Sequence, residues 1–246
     1  MNNFILKENE ALDDLQLDNL MIIQKVGGYK FSTDSVLLAN FAKIKPSDVY
    51  VDFCSGSGVV AILASYKNKV KNSYAVELQK EMAERADRSI KYNNLNIKVI
   101  CDDLKNSPQI LGYESVDVIT VNPPYNTTNL IQSTCDEIKL ATHEIATNLL
   151  EIAETSKKLL KFGGKLFMVH RVDRLVDIIY SLRQNLIEPK VLRFVYPKLE
   201  KEPNLVLIEA KKGAKPGLKI CGPLILCNED GTETDELKQI YNRKQK

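Results

Sequence analysis

Four residues, Asn122-Pro123-Pro124-Tyr125, bring an amide, a stiffened backbone and an aromatic ring to one point of the chain. They follow directly on Val116-Asp117-Val118-Ile119-Thr120-Val121, a run rich in β-branched residues that reads as a buried strand. The prolines end that strand, because proline cannot donate to a ladder and restricts the residue before it. An amide and a ring at a strand's carboxyl end, where open α/β sheets bind ligands, suit a planar group bearing an exocyclic NH2. The Asn122 side-chain oxygen and the Pro123 carbonyl would accept its two hydrogens while the Tyr125 ring stacks on its face. Accepting both hydrogens drives the nitrogen towards tetrahedral geometry and frees its lone pair. The plain alternative is a strand-ending turn with a surface tyrosine.

Such a nucleophile needs an electrophile, and a second group of residues points to one. Asp52-Phe53-Cys54-Ser55-Gly56-Ser57-Gly58 lies where the strand Val49–Phe53 meets a helix starting at Val59. Glycines at a helix N-terminus let the backbone approach a ligand closely. The aspartate at the strand's end would repel a pyrophosphate but suits a cation. Glu77, at the end of the next strand, is spaced to grip ribose hydroxyls, and Asp102-Asp103 after the third can accept from an adenine amino group. Three acidic positions around one glycine turn describe a nucleoside with positive charge and no phosphates. S-adenosylmethionine is such a molecule, and its sulfonium methyl is an electrophile. For the glycine turn alone, an NAD-binding loop or a simple tight turn competes; Ala61 occupies a place where the dinucleotide fingerprint permits alanine.

These groups must be positioned by strands and helices that alternate. Ahead of them the sequence predicts a hairpin, Met21–Val26 turning at Gly27-Gly28 into Tyr29–Phe31, and a helix over Ser35–Ala42 capped by Ser32-Thr33-Asp34. Strands are expected at Val49–Phe53, Val70–Glu77, Ile97–Cys101 and Val116–Val121, with helices at Val59–Tyr66 and Gln79–Tyr92. A polar stretch to Lys139 precedes a helix over 140–161, stopped by Gly163-Gly164. Strand Lys165–His170, a helix from Asp173 to about Leu186 broken by Pro189, and strands Val191–Tyr196 and Leu205–Ile208 complete the series. One more extended run, Leu218–Cys227, and a polar helical end follow. The expected fold is α/β, a Rossmann-like doubly wound sheet of seven strands with an antiparallel strand pair at one edge. Residues 1–45 are expected to form a hairpin-and-helix segment packing on the cofactor site, and 46–246 a single compact domain.

Composition narrows the partners. With 246 residues, 44% hydrophobic and 27% charged, the chain has enough apolar surface for one sizeable core. No apolar run approaches the roughly 20 residues of a membrane span, and the first residues do not resemble a signal peptide. A cytoplasmic location is the expectation. Five cysteines without a C-x-x-C pair, and only two histidines (His143 and His170), argue against a zinc site and a histidine base. Between Lys157 and Lys219 there are 15 Lys/Arg against 6 Asp/Glu, although the whole chain carries only +2. That asymmetry suits a polyanionic partner or a solvated basic face.

The set Asp52-x-Cys-x-Gly-x-Gly, Glu77, Asp103 and Asn-Pro-Pro-Tyr resembles the class I S-adenosylmethionine-dependent amino methyltransferases. Phe31-Ser-Thr-Asp34-Ser-Val-Leu-Leu-Ala, His143-Glu144, Gly163-Gly164, Val169-His-Arg171-Val-Asp-Arg174-Leu and Lys201-Glu-Pro-Asn204-Leu-Val-Leu resemble one branch of them. That branch, the bacterial tRNA adenine-N6 methyltransferases, modifies the adenine 3′ of the anticodon of a valine tRNA. The resemblance implies that Asp52, Gly56 and Gly58 face the methionine part of the cofactor, Glu77 its ribose and Asp103 its adenine. It places Phe31 and Asp34 in a segment closing over the cofactor. Asn122 and the Pro123 carbonyl would hold the target amine, and Tyr125 would stack on the base. Arg171, Arg174 and the lysines at 198, 201, 211 and 212 are candidate phosphate contacts. Competing substrates are a protein glutamine amide (N5 methylation) and DNA adenine. A non-catalytic S-adenosylmethionine- or RNA-binding subunit is the reading from another class.

Overall fold

The computed structural model describes residues 6–27, 31–125 and 149–241. Its first elements are β1 (Glu10–Asp14), β2 (Met21–Lys25) and α1 (Thr33–Phe41). The alternating series follows as β3 (Val49–Phe53), α2 (Val59–Asn68), β4 (Asn72–Glu77), α3 (Lys80–Tyr92) and β5 (Ile97–Cys101). It continues as α4 (Ser107–Leu111), β6 (Val116–Val121), α5 (Leu149–Leu159), β7 (Leu160–Arg171), α6 (Leu175–Gln184), β8 (Ile187–Tyr196) and β9 (Leu205–Lys212). Two short strands, β10 (Lys219–Ile220) and β11 (Leu224–Ile225), precede α7 (Asp235–Ile240).

The main sheet runs β10-β8-β9-β7-β6-β3-β4-β5, with β11 also on β8. β3 lies between β4 and β6, so strand order reverses there, and crevices at such a switch point hold ligands. The pairs β3–β4, β4–β5, β3–β6 and β6–β7 are parallel, and β9 is inserted antiparallel between β7 and β8. The expected antiparallel pair is therefore present, and β8 gains two short parallel neighbours from the Leu218–Cys227 run. Strand periodicity divides the core. Tyr50 and Val118 join the cluster built with α1, α2 and Leu15, Leu17 and Leu20, while Val51, Ile119 and Val121 join the one built with α5 and α6. No helix among the described residues is long and apolar enough to cross a membrane.

One local pairing is added to the expectations and two expectations are corrected. First, β2 pairs antiparallel with β1, a partner upstream of it that the sequence did not suggest; residues 28–30, which carry part of the expected turn and most of the expected downstream arm, lie outside the described residues. β1 is acidic, and much of what holds this hairpin is polar. Arg88 of α3 grips Glu10, the Asn93 side chain bonds both the amide (2.9 Å) and the carbonyl (2.6 Å) of Met21, and Ser89 Oγ accepts from the Ile23 amide at 3.0 Å. Secondly, Gly163 and Gly164 do not stop a helix; they lie inside β7. Gly163 has φ +79°, and a Cβ on Gly164 would come within 2.9 Å of the Lys161 carbonyl, beside the register shift opposite Val116 and Val118. The glycines serve a bulge. Thirdly, Pro189 sits within β8 at a register shift against β9, one of the places where a sheet tolerates proline.

Candidate active site

Parallel register brings the site together. Phe53 lies opposite Val76 and Val121, and Glu77 opposite Cys101. Asp52, the glycine turn, Glu77, Asp102-Asp103 and Asn122 therefore share one edge of the sheet.

Asn122 is held from both sides. Its Nδ2 donates to the hydroxyl of Ser35 in α1 at 3.1 Å, and its Oδ1 accepts from the Tyr125 hydroxyl at 2.5 Å. The amide is thus fixed with its oxygen turned towards Tyr125. The Tyr125 ring leans on His170 with centroids 5.1 Å apart and planes at 57°. His170 is fully buried at the end of β7, and its Nδ1 accepts from the Arg171 amide at 2.8 Å. An accepting Nδ1 carries no proton. Pro123 is buried beneath this arrangement.

The glycine turn is braced by Glu77. That carboxylate is 6% exposed; Oε2 accepts from the Gly56 amide at 2.8 Å and Oε1 from the Gln79 amide at 2.9 Å. Burial pushes its pKa up, and the backbone amides of Gln79, Gly56 and Leu78 oppose the shift. Gly56 and Gly58 do different work. A Cβ on Gly56 would meet nothing within 4 Å, so the turn is open there, whereas on Gly58 it would lie 3.2 Å from Ala86 Cβ of α3. Asp52 sits below the turn, 1% exposed, with Oδ1 accepting from Thr120 Oγ1 at 2.5 Å. Burial pushes its pKa up to about 8; the Thr120 hydrogen bond opposes this, and the Glu77 charge adds to it.

Past β5, Asp103 caps a single 3-10 turn, accepting from the Lys105 amide at 3.0 Å and pairing with Lys105 Nζ at 3.2 Å. Asp102 accepts from the Asp103 amide and from Asn106 Nδ2. Phe31 packs half-buried on the α1-side core, and its amide meets the Gln24 side chain at 2.8 Å when that amide is turned to satisfy its partners. Asp34 lies in the first turn of α1, next to the Ser35 that anchors Asn122.

Ser35, Thr120 and Tyr50 carry polar contacts that no sequence motif marks, and His170, one of the two histidines, packs on Tyr125. In the sequence Ser35 is only the first residue of an expected helix and Thr120 one of the β-branched residues of a strand. The signal for Thr120 was its place opposite an acidic residue in a neighbouring strand, which requires the register. His143 lies outside the described residues. The basic residues divide between the two ends of the sheet. Arg171 pairs with Leu205, which puts Arg171, Arg174 and the loop bearing Lys198 and Lys201 at the Asn122 end. Lys211 pairs with Lys165 and Lys212 with Ile187, at the opposite end of the strands. Lys212 there bonds Glu114 and the Leu160 carbonyl.

Residues 30–186 match the family model described as methyltransferase small domain. Among similar sequences are an uncharacterized RNA methyltransferase of Streptococcus mutans, 26% identical over 123 residues (47% of this chain, 27% of that protein), and two proteins named tRNA1(Val) (adenine(37)-N6)-methyltransferase. The one from Histophilus somni is 26% identical over 57% of this chain and 60% of its own length. The one from Aeromonas hydrophila is 24% identical over 86% and 88%. The chain thus spans between about a quarter and three fifths of the first of these relatives. Among solved structures, a predicted O-methyltransferase from Agrobacterium tumefaciens superposes with a TM-score of 0.71 at 19% identity, over 85% of this chain and 96% of that one. M. jannaschii TYW2 in complex with AdoMet gives 0.58 at 17% identity, over 84% and 87%. At these identities the structural likeness speaks for the fold.

Proposed function

Because the chain belongs to the methyltransferase small domain family, we propose that it moves the methyl group of S-adenosylmethionine to the exocyclic N6 amine of an adenine in RNA, an anticodon-loop adenine of a valine tRNA. The observation that carries the reading is Asn122, anchored by Ser35 with its oxygen beside the Tyr125 hydroxyl, at the sheet edge that also holds Asp52 and Glu77. The names of the Histophilus and Aeromonas relatives support the choice of substrate.

The residues fit the cofactor on two counts. Asp52 Oδ2 is a buried oxygen without a hydrogen-bond partner among the described residues, and the turn is open at Gly56. Asp52, Gly56 and Gly58 would receive the methionine end, Glu77 the ribose and Asp103 the adenine, with Phe31 and Asp34 closing from the α1 side. The bound cofactor supplies an electrophilic methyl on a positively charged sulfur. Asn122 Oδ1 and the Pro123 carbonyl accept the two hydrogens of the target amine and so direct its lone pair outward. Tyr125 supplies the ring on which the base stacks. The amine loses its surplus proton to water after transfer, so this scheme asks no general base of His170.

Stacking on Tyr125 requires a base out of its helix, which favours a single-stranded loop. Arg171, Arg174, Lys198 and Lys201 lie at the same end of the sheet and would contact the flanking phosphates. A tRNA substrate puts the enzyme in the cytoplasm. The test is methyl transfer from labelled cofactor by the purified chain, offered tRNA from a deletion strain, adenine-containing DNA and a glutamine-bearing protein. Label recovered as N6-methyladenine in valine tRNA is the expected result. Label in DNA or in a glutamine amide would replace the substrate, and no transfer to any of them would overturn the activity.

A further inference from the structure

Beneath the glycine turn, three buried polar side chains form a continuous chain across two strands. Tyr50 and Asp52 are two apart on β3 and so share a face, and Thr120 of β6 lies directly opposite Asp52. Tyr50 Oη and Thr120 Oγ1 are 2.6 Å apart, and Thr120 gives its own hydrogen to Asp52 Oδ1 at 2.5 Å. The phenol is therefore the donor to Thr120. Tyr50 and Thr120 are 0% exposed and Asp52 1%. The other carboxylate oxygen, Oδ2, has no hydrogen-bond partner among the described residues. Buried polar groups are normally satisfied, so an orphaned acceptor next to a ligand turn calls for an account.

We propose that Thr120 and Tyr50 are positioning residues of the cofactor site: their hydrogen-bonded chain ties off Asp52 Oδ1 and leaves Oδ2 as the seat of the negative charge that a cationic cofactor requires. This rests on the reading of the site as one for S-adenosylmethionine. The chain polarises in one direction, phenol to hydroxyl to carboxylate, and such runs strengthen each member. Neither donor competes for the charge. Burial, the largest influence, holds the Tyr50 phenol protonated well above its ordinary range, and a threonine hydroxyl does not titrate. The titratable groups that face Asp52 are Glu77 from β4 and Tyr50 from its own strand. β6 brings Thr120 and α2 brings the Ala61 amide, and none of these is a cation.

A pH signature follows. Burial raises the Asp52 pKa to about 8, so near neutrality the carboxyl is largely protonated before the cation binds. A cation binds better to the ionised carboxyl, so cofactor affinity should rise with pH and level off above about 8. Removing the Thr120 hydroxyl takes away an influence that lowers the pKa, which moves the rise to higher pH.

The experiment is calorimetric titration of S-adenosylmethionine into the full chain from pH 6 to 9, for wild type, Thr120→Val, Thr120→Ser, Tyr50→Phe and the double variant Tyr50→Phe/Thr120→Val. The double variant removes both partners and so leaves no orphaned phenol. Circular dichroism and melting curves establish that each variant is folded. Thr120→Val and the double variant should bind about tenfold more weakly at pH 7, with the loss shrinking towards pH 9. Thr120→Ser should follow wild type, and Tyr50→Phe should fall between. A loss equal at every pH, or Thr120→Ser as weak as Thr120→Val, would overturn the positioning role. Wild-type protein that binds no S-adenosylmethionine at any pH would instead overturn the cofactor reading beneath it.

Discussion

Removing one oxygen from Tyr125 should tighten the grip on the target base. The Tyr125 hydroxyl donates to Asn122 Oδ1, the acceptor proposed for the target amine. The arriving base must then displace a neutral hydrogen bond, whose net worth is roughly 0.5–1.5 kcal/mol. Tyr125→Phe removes that competitor and keeps the ring, so KM for RNA should fall about two- to tenfold, as each 1.4 kcal/mol is a factor of about ten. Tyr125→Ala removes the stacking platform, worth about 1–3 kcal/mol per base, and should cut kcat/KM about five- to 150-fold. Asn122→Ala should depress kcat with little change in cofactor affinity, because the amide acts on the nucleophile alone. Steady-state methyl transfer to an anticodon stem-loop RNA measures all three. A KM for Tyr125→Phe at or above the wild-type value would refute the displacement. Equal kinetics for Phe and Ala at this position would remove the ring from the mechanism.

The two glycines of the turn should separate in their effects: Gly58→Ala presses a methyl group against Ala86 at a φ of +92° and should lower Tm more than Gly56→Ala, while Gly56→Ala should weaken cofactor binding at a smaller cost in Tm, by melting and titration of both. Asp52→Asn should stabilise the cofactor-free protein at alkaline pH. With the folded pKa raised from 3.8 to about 8, the stabilising effect of the neutral carboxyl is full below about pH 4, declines as pH rises and is lost above about 8. The variant's Tm advantage should therefore grow between those limits, each kcal/mol being worth about 2–4 °C, and an advantage independent of pH would contradict it. Reversing Lys198 and Lys201 together should weaken RNA binding and flatten its salt dependence by about one to two in log–log slope. Reversing Lys211 and Lys212 should leave RNA affinity unchanged, and a filter-binding salt series that ranks the two pairs the other way would move the RNA face to the opposite end of the sheet.

The alternation of strands and helices was legible because each element carries its own period. Val49–Phe53, Ile97–Cys101 and Val116–Val121 form where β-branched and aromatic runs predict them. Elements whose cause is not local were misread. β1 is acidic, and its hairpin with β2 is held by Arg88 and Ser89 of α3 and by Asn93 just past that helix, 66 to 78 residues away. Gly163-Gly164 and Pro189 carry strong breaker signals, but a bulge answers those signals as well as a loop does, and only the neighbouring strand decides between the two.

The site divides along the same line. Asp52, Glu77 and Asn122 could be named from sequence because each ends a strand, and strand ends are readable. The side chains that aim them could not. Ser35 reaches Asn122 across 87 residues and Thr120 reaches Asp52 across 68, so their roles exist only once the register is known. Charge shows the limit most plainly. The basic surplus between 157 and 219 looks like one patch in sequence, yet β7 and β9 run antiparallel. Antiparallel pairing sends Arg171 to the Asn122 end and Lys211 to the other, 40 residues apart in sequence and a full strand apart in space. A polyanion bound at the site edge, as proposed, would meet the arginines and the Lys198–Lys201 loop but not the two lysines at the far end. Net charge over a segment can suggest a class of partner, whereas strand direction decides which of the charges such a partner could touch.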